Sequence, residues 1–392
     1  MEIELTKIMS NLIDIFYRFF ILGLVSFGGP IAHIAYFKKT FVDKLKWLDD
    51  ESYSKIVALS QFLPGPSSSQ VGFTIGLKRG GIFGGILAFI AFTLPSFLFL
   101  YFLWYFGVFQ NDNSHINSVI YALKLFAVVV VLDATFGMFK SFCKDKITVA
   151  IFFLASILLI FFSSVFNQIF VLFLCAIFGF LFIKSEIKTK EKIVSPNFLI
   201  LSIFLALLFL AFSYEFKNEL LNLFFDFYKS GSLVFGGGHV VLPLLQESLG
   251  EKIINDTFLV AYSLAQTVSG PMFTIATYLG ADIIKESPFL GAIIATFGIF
   301  LGGFLLILSF YKSFESFSKN EKLLRVIKAI NTGVVALLFA TLINTIIPSA
   351  VYSIFDAVLV LIGFILVKYL KVNIFYIILG FIFIFSIKAF FV

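Results

Sequence analysis

The sequence predicts an all-α polytopic membrane protein of about 12–13 spans, built from two inverted, homologous helical repeats with broken or re-entrant helices. Three observations predict it. Long stretches carry no charge: none between Arg79 and Asp112, between Lys146 and Lys184, or between Lys192 and Glu215. A series of Gly/Pro motifs recurs at nearly one offset along the chain. Lys and Arg alternate from loop to loop, and the two alternations are out of phase.

The charge-free stretches come first. About 20 apolar residues span a bilayer as helix, and 13% charged residues with 60% hydrophobic ones leave no room for a soluble core, where about 25% charge is usual. The first half offers stretches at 19–37, 56–77, 80–111, 116–139 and 147–183, the last long enough for two short spans. The second offers 230–246, 257–281, 287–311, 329–355 and 357–387. Segment 193–214 has no counterpart and reads as a linker helix. The start of the chain lacks a basic n-region and a cleavage site, so no signal peptide is expected.

The repeat is read from the motifs. Phe27-Gly28-Gly29-Pro30 finds Phe235-Gly236-Gly237-Gly238 after 208 positions, and Gln61-Phe62-Leu63-Pro64-Gly65-Pro66 finds Gln266-Thr267-Val268-Ser269-Gly270-Pro271 after 205. Gly76 finds Gly280 after 204. Such agreement predicts a duplication, organised as a repeat over 1–184, a cytoplasmic loop and linker helix over 185–214, and an inverted repeat over 215–392.

Loop charges then orient the halves. First-half loops carry two Lys/Arg at 78–79, three at 140–146 and four at 184–192, with none between at 111–115 or near 164. In the second half, 282–286 carries one, 312–328 five, 347–355 none and 368–371 two. The N-terminus is therefore expected inside and the C-terminus outside. Segment 38–55, with five lysines, falls on the outer side of this count. Either its acidic residues blunt the signal or 56–77 is re-entrant. The net charge of +6 sits in short loops, an orientation signal with no nucleic-acid role.

The breaks carry the chemistry. Pro removes a donor and Gly permits left-handed backbone, and such backbone persists at membrane depth only where protein or a water-filled cavity satisfies it. Paired breaks in corresponding positions of two halves point to a transporter's binding site. A half-helix starting after Pro64-Gly65-Pro66 presents free N–H groups and a positive dipole end to an anion. Ser67, Ser68, Ser69 and Gln70 fill its first turn with groups suited to a tetrahedral oxyanion. Ser263, Gln266, Thr267, Ser269 and Thr274 crowd the equivalent break at Gly270-Pro271. Gly28, Gly29, Pro30, Gln61, Gly236, Gly237 and Gly238 complete the candidate substrate-binding set. Small residues at these positions also permit close helix packing.

Intramembrane charges are functional candidates by default. Lys124 attracts a dianion or snorkels to an interface; Asp133 couples to protons or does the same. Lys328 stands 204 positions after Lys124. Lys78 and Arg79 either funnel anions or mark the inner face. His33 and His239 follow the Gly-rich breaks and suit a pore lining or a buried hydrogen bond; no metal site is expected, because no Cys or carboxylate cluster accompanies them. Cys143 and Cys175 form no framework. No P-loop and no catalytic constellation argues for an enzyme.

Taken together, Phe27-Gly28-Gly29-Pro30-Ile31-Ala32-His33, Trp47-Leu48, Gln61-Phe62-Leu63-Pro64-Gly65-Pro66 with Gly76 and Gly80, Thr93-Leu94-Pro95-Ser96, and Phe235-Gly236-Gly237-Gly238-His239-Val240-Val241-Leu242-Pro243 resemble the signature of chromate ion transporters. The resemblance covers essentially the whole chain. It implies two inverted halves and export of chromate, a dianion close to sulfate in size, across a bacterial inner membrane, driven by membrane potential or proton gradient. A passive channel or exchanger for another small anion is the alternative. Ser269-Gly270-Pro271 in place of Pro-Gly-Pro, and Leu301-Gly302-Gly303 in place of Leu-Pro-Ser, leave chromate, sulfate or another oxyanion open as the working substrate. The expected partners are the oxyanion and the lipid bilayer, with no cofactor and no nucleic acid; a homodimer is left open.

Overall fold

A computed structural model describes residues 2–27, 29–107, 114–162, 165–183, 195–235, 238–314 and 320–390. Among them the structure is helical and contains no strand. Four helices are long and apolar enough to cross a membrane, Ser67–Tyr105, Ile116–Phe142, Pro288–Phe310 and Glu321–Ala350, and five shorter apolar helices accompany them. Lipid is the fitting solvent for their outer faces. On the linker helix, Phe198, Leu199 and Phe209 are 64%, 73% and 69% exposed, an apolar surface that water does not tolerate at this extent.

In chain order the first half gives α1 (Glu2–Val25), α2 (Gly29–Phe37), a π-helical stretch Lys38–Lys44, α3 (Asp50–Phe62), α4 (Ser67–Tyr105), α5 (Ser114–Phe142), α6 (Lys146–Phe161) and α7 (Val165–Phe182). Segment 193–214 contributes α8 (Phe198–Ser213). The second half gives α9 (Glu219–Ser232), α10 (Val241–Leu249), α11 (Asn255–Thr267), α12 (Ile275–Ile283), α13 (Pro288–Phe310), α14 (Glu321–Thr341), α15 (Ile347–Ala350), α16 (Ile354–Lys368) and α17 (Ile374–Phe390).

Local chemistry sets the ends. Asp49 caps α3 by accepting from the Ser52 N–H at 2.7 Å, and Asp145 with Thr148 forms a capping box at α6. Asn197, Asn218 and Asn320 cap α8, α9 and α14, and Ser353 with Asp356 closes a second capping box at α16. The charge-free stretch 56–77 is not one helix: α3 stops at Phe62 and α4 begins at Ser67, with Pro64-Gly65-Pro66 between them. α4 itself bends at Gly80 and Gly81, the latter at φ 62°. Stretch 147–183 holds the two short helices α6 and α7, and 193–214 holds α8.

The duplication is visible in the bounds. Adding 205 to 50 and 62, the ends of α3, gives 255 and 267, the ends of α11. Each half contributes to both of two compact units. Unit 1 comprises Met1–Phe102, Lys192–Gly238 and Val268–Ser318; unit 2 comprises Leu103–Glu191, His239–Thr267 and Lys319–Val392.

Within unit 1, the second limb of α4 lies against α13. Phe89 meets Phe300 and Phe304 at 4.9 and 4.8 Å, while Phe97 and Tyr101 meet Phe289 at 6.1 and 5.2 Å. Residue numbers rise on one helix as they fall on the other, so these repeat-equivalent helices are antiparallel. Within unit 2, α5 and α14 behave alike. Lys328, in the second turn of α14, pairs with Asp145, just past the end of α5. Tyr121, near the start of α5, bonds Asp356, beyond the end of α14.

Candidate functional site

Unit 1 gathers helix breaks from both halves. At the first, the Leu63 N–H still reaches Leu59 C=O at 3.1 Å, and the chain then turns through Gly65 at φ 126°. At its counterpart, Gly270 stands at φ 90° before a 3-10 turn, Met272–Thr274, that leads into α12. Side chains rarely adopt either conformation, and a Cβ at either position would crowd its neighbours. A Cβ on Gly65 would lie 2.9 Å from the Gly303 Cα, and one on Gly270 would lie 3.0 Å from the Ser96 Oγ.

The breaks are tied together reciprocally. Gly65 N–H donates to Val234 C=O at 2.7 Å, and Gly270 N–H donates to Ser26 C=O at 2.9 Å. The donors are 205 positions apart and the acceptors 208, the same offsets at which the sequence motifs recur. Each half therefore donates to the equivalent carbonyl of the other, the pattern of a two-fold contact.

Around this knot the buried polar groups are neutral. His33, 1% exposed, has Nε2 at 3.2 Å from Ser26 C=O and Nδ1 at 3.3 Å from Ser68 Oγ. A carbonyl only accepts, so Nε2 carries the proton and Nδ1 accepts from the Ser68 hydroxyl. Gln70, fully buried, donates from Nε2 to Pro64 C=O at 2.9 Å and to Gly303 C=O at 3.1 Å. Its amide braces the break. The hydroxyls of Ser26, Ser69 and Thr93 and the Gln70 Oε1 are buried without a partner, at a cost of about 1–3 kcal/mol each. Hydroxyls that rotate freely are donors in waiting for an oxyanion; Gln70 Oε1, an acceptor, suits water or a protonated oxygen. The first-turn amides of α4 add the positive end of its first limb, which runs from Ser67 to the bend at Gly80. Among the described residues the buried charged side chains, Lys124 and Asp356, both belong to unit 2.

The remaining candidates scatter. Gly28, Gly236 and Gly237 lie outside the described residues. Gly29, at φ 76°, opens α2 ahead of Pro30, and a Cβ on Gly238 would meet the Pro30 Cγ at 3.4 Å. Pro66 precedes Ser67, which is half-buried. Gln61 is exposed on the last turn of α3. Ser269 is buried beside Gly270 and Pro271. Gln266 belongs to unit 2, 3.4 Å from the His239 Nδ1, which also accepts from the Tyr262 hydroxyl at 2.8 Å.

Lys78 is exposed and lines a surface cavity with Lys46, Trp47 and Asp49. Arg79 stacks over Trp47 at 5.0 Å. Lys124 and Asp133 pair with other residues: Lys124 with Asp256 at 2.6 Å, and Asp133 with Lys368 at 3.0 Å, off the hydrogen-bond direction. Lys328 and Asp145 meet at 2.7 Å. Burial would raise the Asp145 carboxyl, but the Lys328 ammonium and the Thr148 amide outweigh it and hold it below the usual carboxylate range. Sequence reasoning missed Ser26 altogether and named Thr93 and Gly303 only within family motifs, not as site residues. Ser26 lies one position ahead of the Phe27-Gly28 motif, and its place 208 before Val234 was the available signal.

The chain matches the chromate transporter family over residues 13–180 and 221–386. It is 31% identical over 343 residues to an uncharacterized transporter of Methanocaldococcus jannaschii, covering 85% of this chain and 84% of that one. A chromate transport protein of Pseudomonas aeruginosa is 24% identical over 343 residues, covering 84% and 80%. Another, of Cupriavidus metallidurans, is 25% identical over 356 residues, covering 90% and 85%. No solved structure matches the chain.

Proposed function

The chain belongs to the chromate transporter family, and from that premise we propose that it is a secondary transporter exporting chromate or a related tetrahedral oxyanion, such as sulfate, across a bacterial inner membrane. The observation that carries the proposal is the reciprocal bonding of Gly65 to Val234 and Gly270 to Ser26. It supports two equivalent breaks facing each other across a pseudo-two-fold axis, with the oxyanion held between the first turn of α4 and the hydroxyls of Ser26, Ser69 and Thr93. Neutral donors suit a traveller that must leave again, because a fixed positive charge would hold a dianion too tightly.

The antiparallel courses of α4 against α13 and of α5 against α14 support inverted repeats over 1–184 and 215–392, with α8 as the extra crossing an even repeat needs to invert. Outward movement of a dianion through an inside-negative membrane releases about 4.6 kcal/mol at 100 mV, at about 2.3 per charge, so potential alone drives export. Where a proton contributes, Asp133 is the intramembrane carboxylate to carry it. The test is chromate and sulfate counterflow in proteoliposomes holding wild type or Gly65→Leu. Wild type exchanges label and the variant, inserted equally well, does not. Wild-type exchange in Gly65→Leu sinks the site.

A further inference from the structure

Two surface cavities of unit 1, of about 640 and 650 Å³, flank Arg79. Both fall within the roughly 300–1,000 Å³ of small-molecule sites. Lys46, Trp47, Lys78, Asp49 and Asp50 line the first. Arg79 lies over the Trp47 ring at 5.0 Å and itself lines the second, with Met9, Ile13, Tyr17, Ser10, Asn11 and Asp14.

The acidic residues here are engaged by other groups. Asp49 accepts from the Ser52 amide at 2.7 Å, Asp50 pairs with Lys38 at 2.9 Å, and Asp14 pairs with Arg18 at 3.0 Å. Lys78 shares the Asp49 charge. Among the described residues no carboxylate pairs with Lys46 or Arg79. The Trp47 ring holds the guanidinium by a cation–π contact, which takes none of its five N–H donors to a conventional acceptor. Such a planar fork fits phosphate oxygens in pairs. Lys46 stands at φ 54°, a left-handed conformation uncommon for a residue with a side chain, and such outliers gather where ligands are held.

The second cavity has an apolar line along it. Met9, Ile13 and Tyr17 follow at four-residue steps on α1, so they share a face, and each is more than half exposed. At 1.5 Å per residue the stripe runs about 12 Å. Trp and Tyr beside basic residues mark the level at which lipid headgroups meet acyl chains. We propose that the two cavities together hold one phospholipid with an anionic headgroup, its phosphate between Arg79 and Lys46 and one acyl chain along Met9, Ile13 and Tyr17. Lys78 adds to the positive potential around the headgroup. The proposal stands apart from the oxyanion reading, since it needs only a bilayer around unit 1.

The experiment reads Trp47 fluorescence in the full-length protein carrying Trp104→Phe, which leaves Trp47 as its one tryptophan. The protein is reconstituted in phosphatidylcholine vesicles with increasing amounts of phosphatidylglycerol that bears a nitroxide quencher near the top of its acyl chain. Quenching saturates at a few mole per cent, whereas nitroxide-labelled phosphatidylcholine quenches only in proportion to its amount. Arg79→Gln and, independently, Lys46→Gln, each with an unchanged gel-filtration profile, raise the half-saturating fraction about fivefold or more. Inorganic phosphate in the buffer leaves the curve in place. Equal, non-saturating quenching by the two lipids overturns the proposal, as does an unchanged curve in both folded variants. Displacement by millimolar phosphate assigns the cavity to a free anion and overturns it too.

Discussion

At the scale of single residues, two glycines shape the proposed site. Gly65 and Gly270 occupy conformations that cost an L-residue roughly 1–2 kcal/mol, and a Cβ on either would crowd its neighbours. Gly65→Ala and Gly270→Ala are therefore expected to lower oxyanion flux about tenfold or more while the protein still inserts; flux assays on equal amounts of purified variants check this. Their place at the helix breaks was legible in the sequence, because Gly beside Pro in an apolar run interrupts the helix that the run would otherwise form. The hydroxyls of Ser26 and Thr93 were not, since a single hydroxyl in an apolar stretch does not name its neighbours. Ser69→Ala is expected to raise the KM for chromate while the melting temperature holds or rises, because the variant removes a buried hydroxyl that has no partner in the free protein. Asp145 gives a pH test. Its carboxyl is depressed by Lys328 and Thr148 despite burial, so its contribution is full above the unfolded value near 3.9 and fades as pH falls through the lower folded one. Asp145→Asn should lose roughly 0.5–1 kcal/mol at pH 7, the pair being partly exposed, and the gap from wild type should close as pH falls through the depressed folded value. Thermal melts across that range read it directly.

Among the elements, glycine acts through packing. In α4, a Cβ on Gly76 would drive into the Gly84 carbonyl and the reverse also holds; in the second half Gly280 and Gly291 stand in the same relation. Both halves thus fold a short helix back on a longer one through a glycine contact, and Gly76 and Gly280 are one of the sequence repeats. Gly76→Val is expected to destabilise by about 1–3 kcal/mol through overpacking, seen as a lower melting temperature before any change in substrate affinity. Which runs were helical, and where most of them broke, was readable from charge and Gly/Pro placement. The two π-helical stretches, Lys38–Lys44 and Leu342–Ile346, were not. They carry no periodicity of their own, and Pro348 stands two residues after the second. The close approach of α9 to α13, where Gly231 abuts the Ile299 backbone and Gly302 abuts Ser232, was likewise hidden, because a glycine in a span does not name its neighbour.

For the whole molecule, the duplication and its offsets were written in the motifs, and the helix bounds repeat at the same spacing. Loop charges argued inversion, and the antiparallel equivalents now supply a geometric reason for it. What sequence order concealed is that neither half forms a compact unit alone: unit 1 and unit 2 each take chain from both. Contacts far apart in sequence, such as Gly65 with Val234 and Lys328 with Asp145, generate that division, and composition is blind to them. The central claim is that the reciprocal breaks carry an oxyanion outward. The most direct measurement is chromate accumulation by inside-out vesicles under an imposed potential, with sulfate as competitor, in membranes with and without the protein. Accumulation above the outside concentration, dependent on the protein and reduced by sulfate, is the predicted result. Equilibration without accumulation would deny that potential drives the movement, and no protein-dependent movement of either anion would contradict the account.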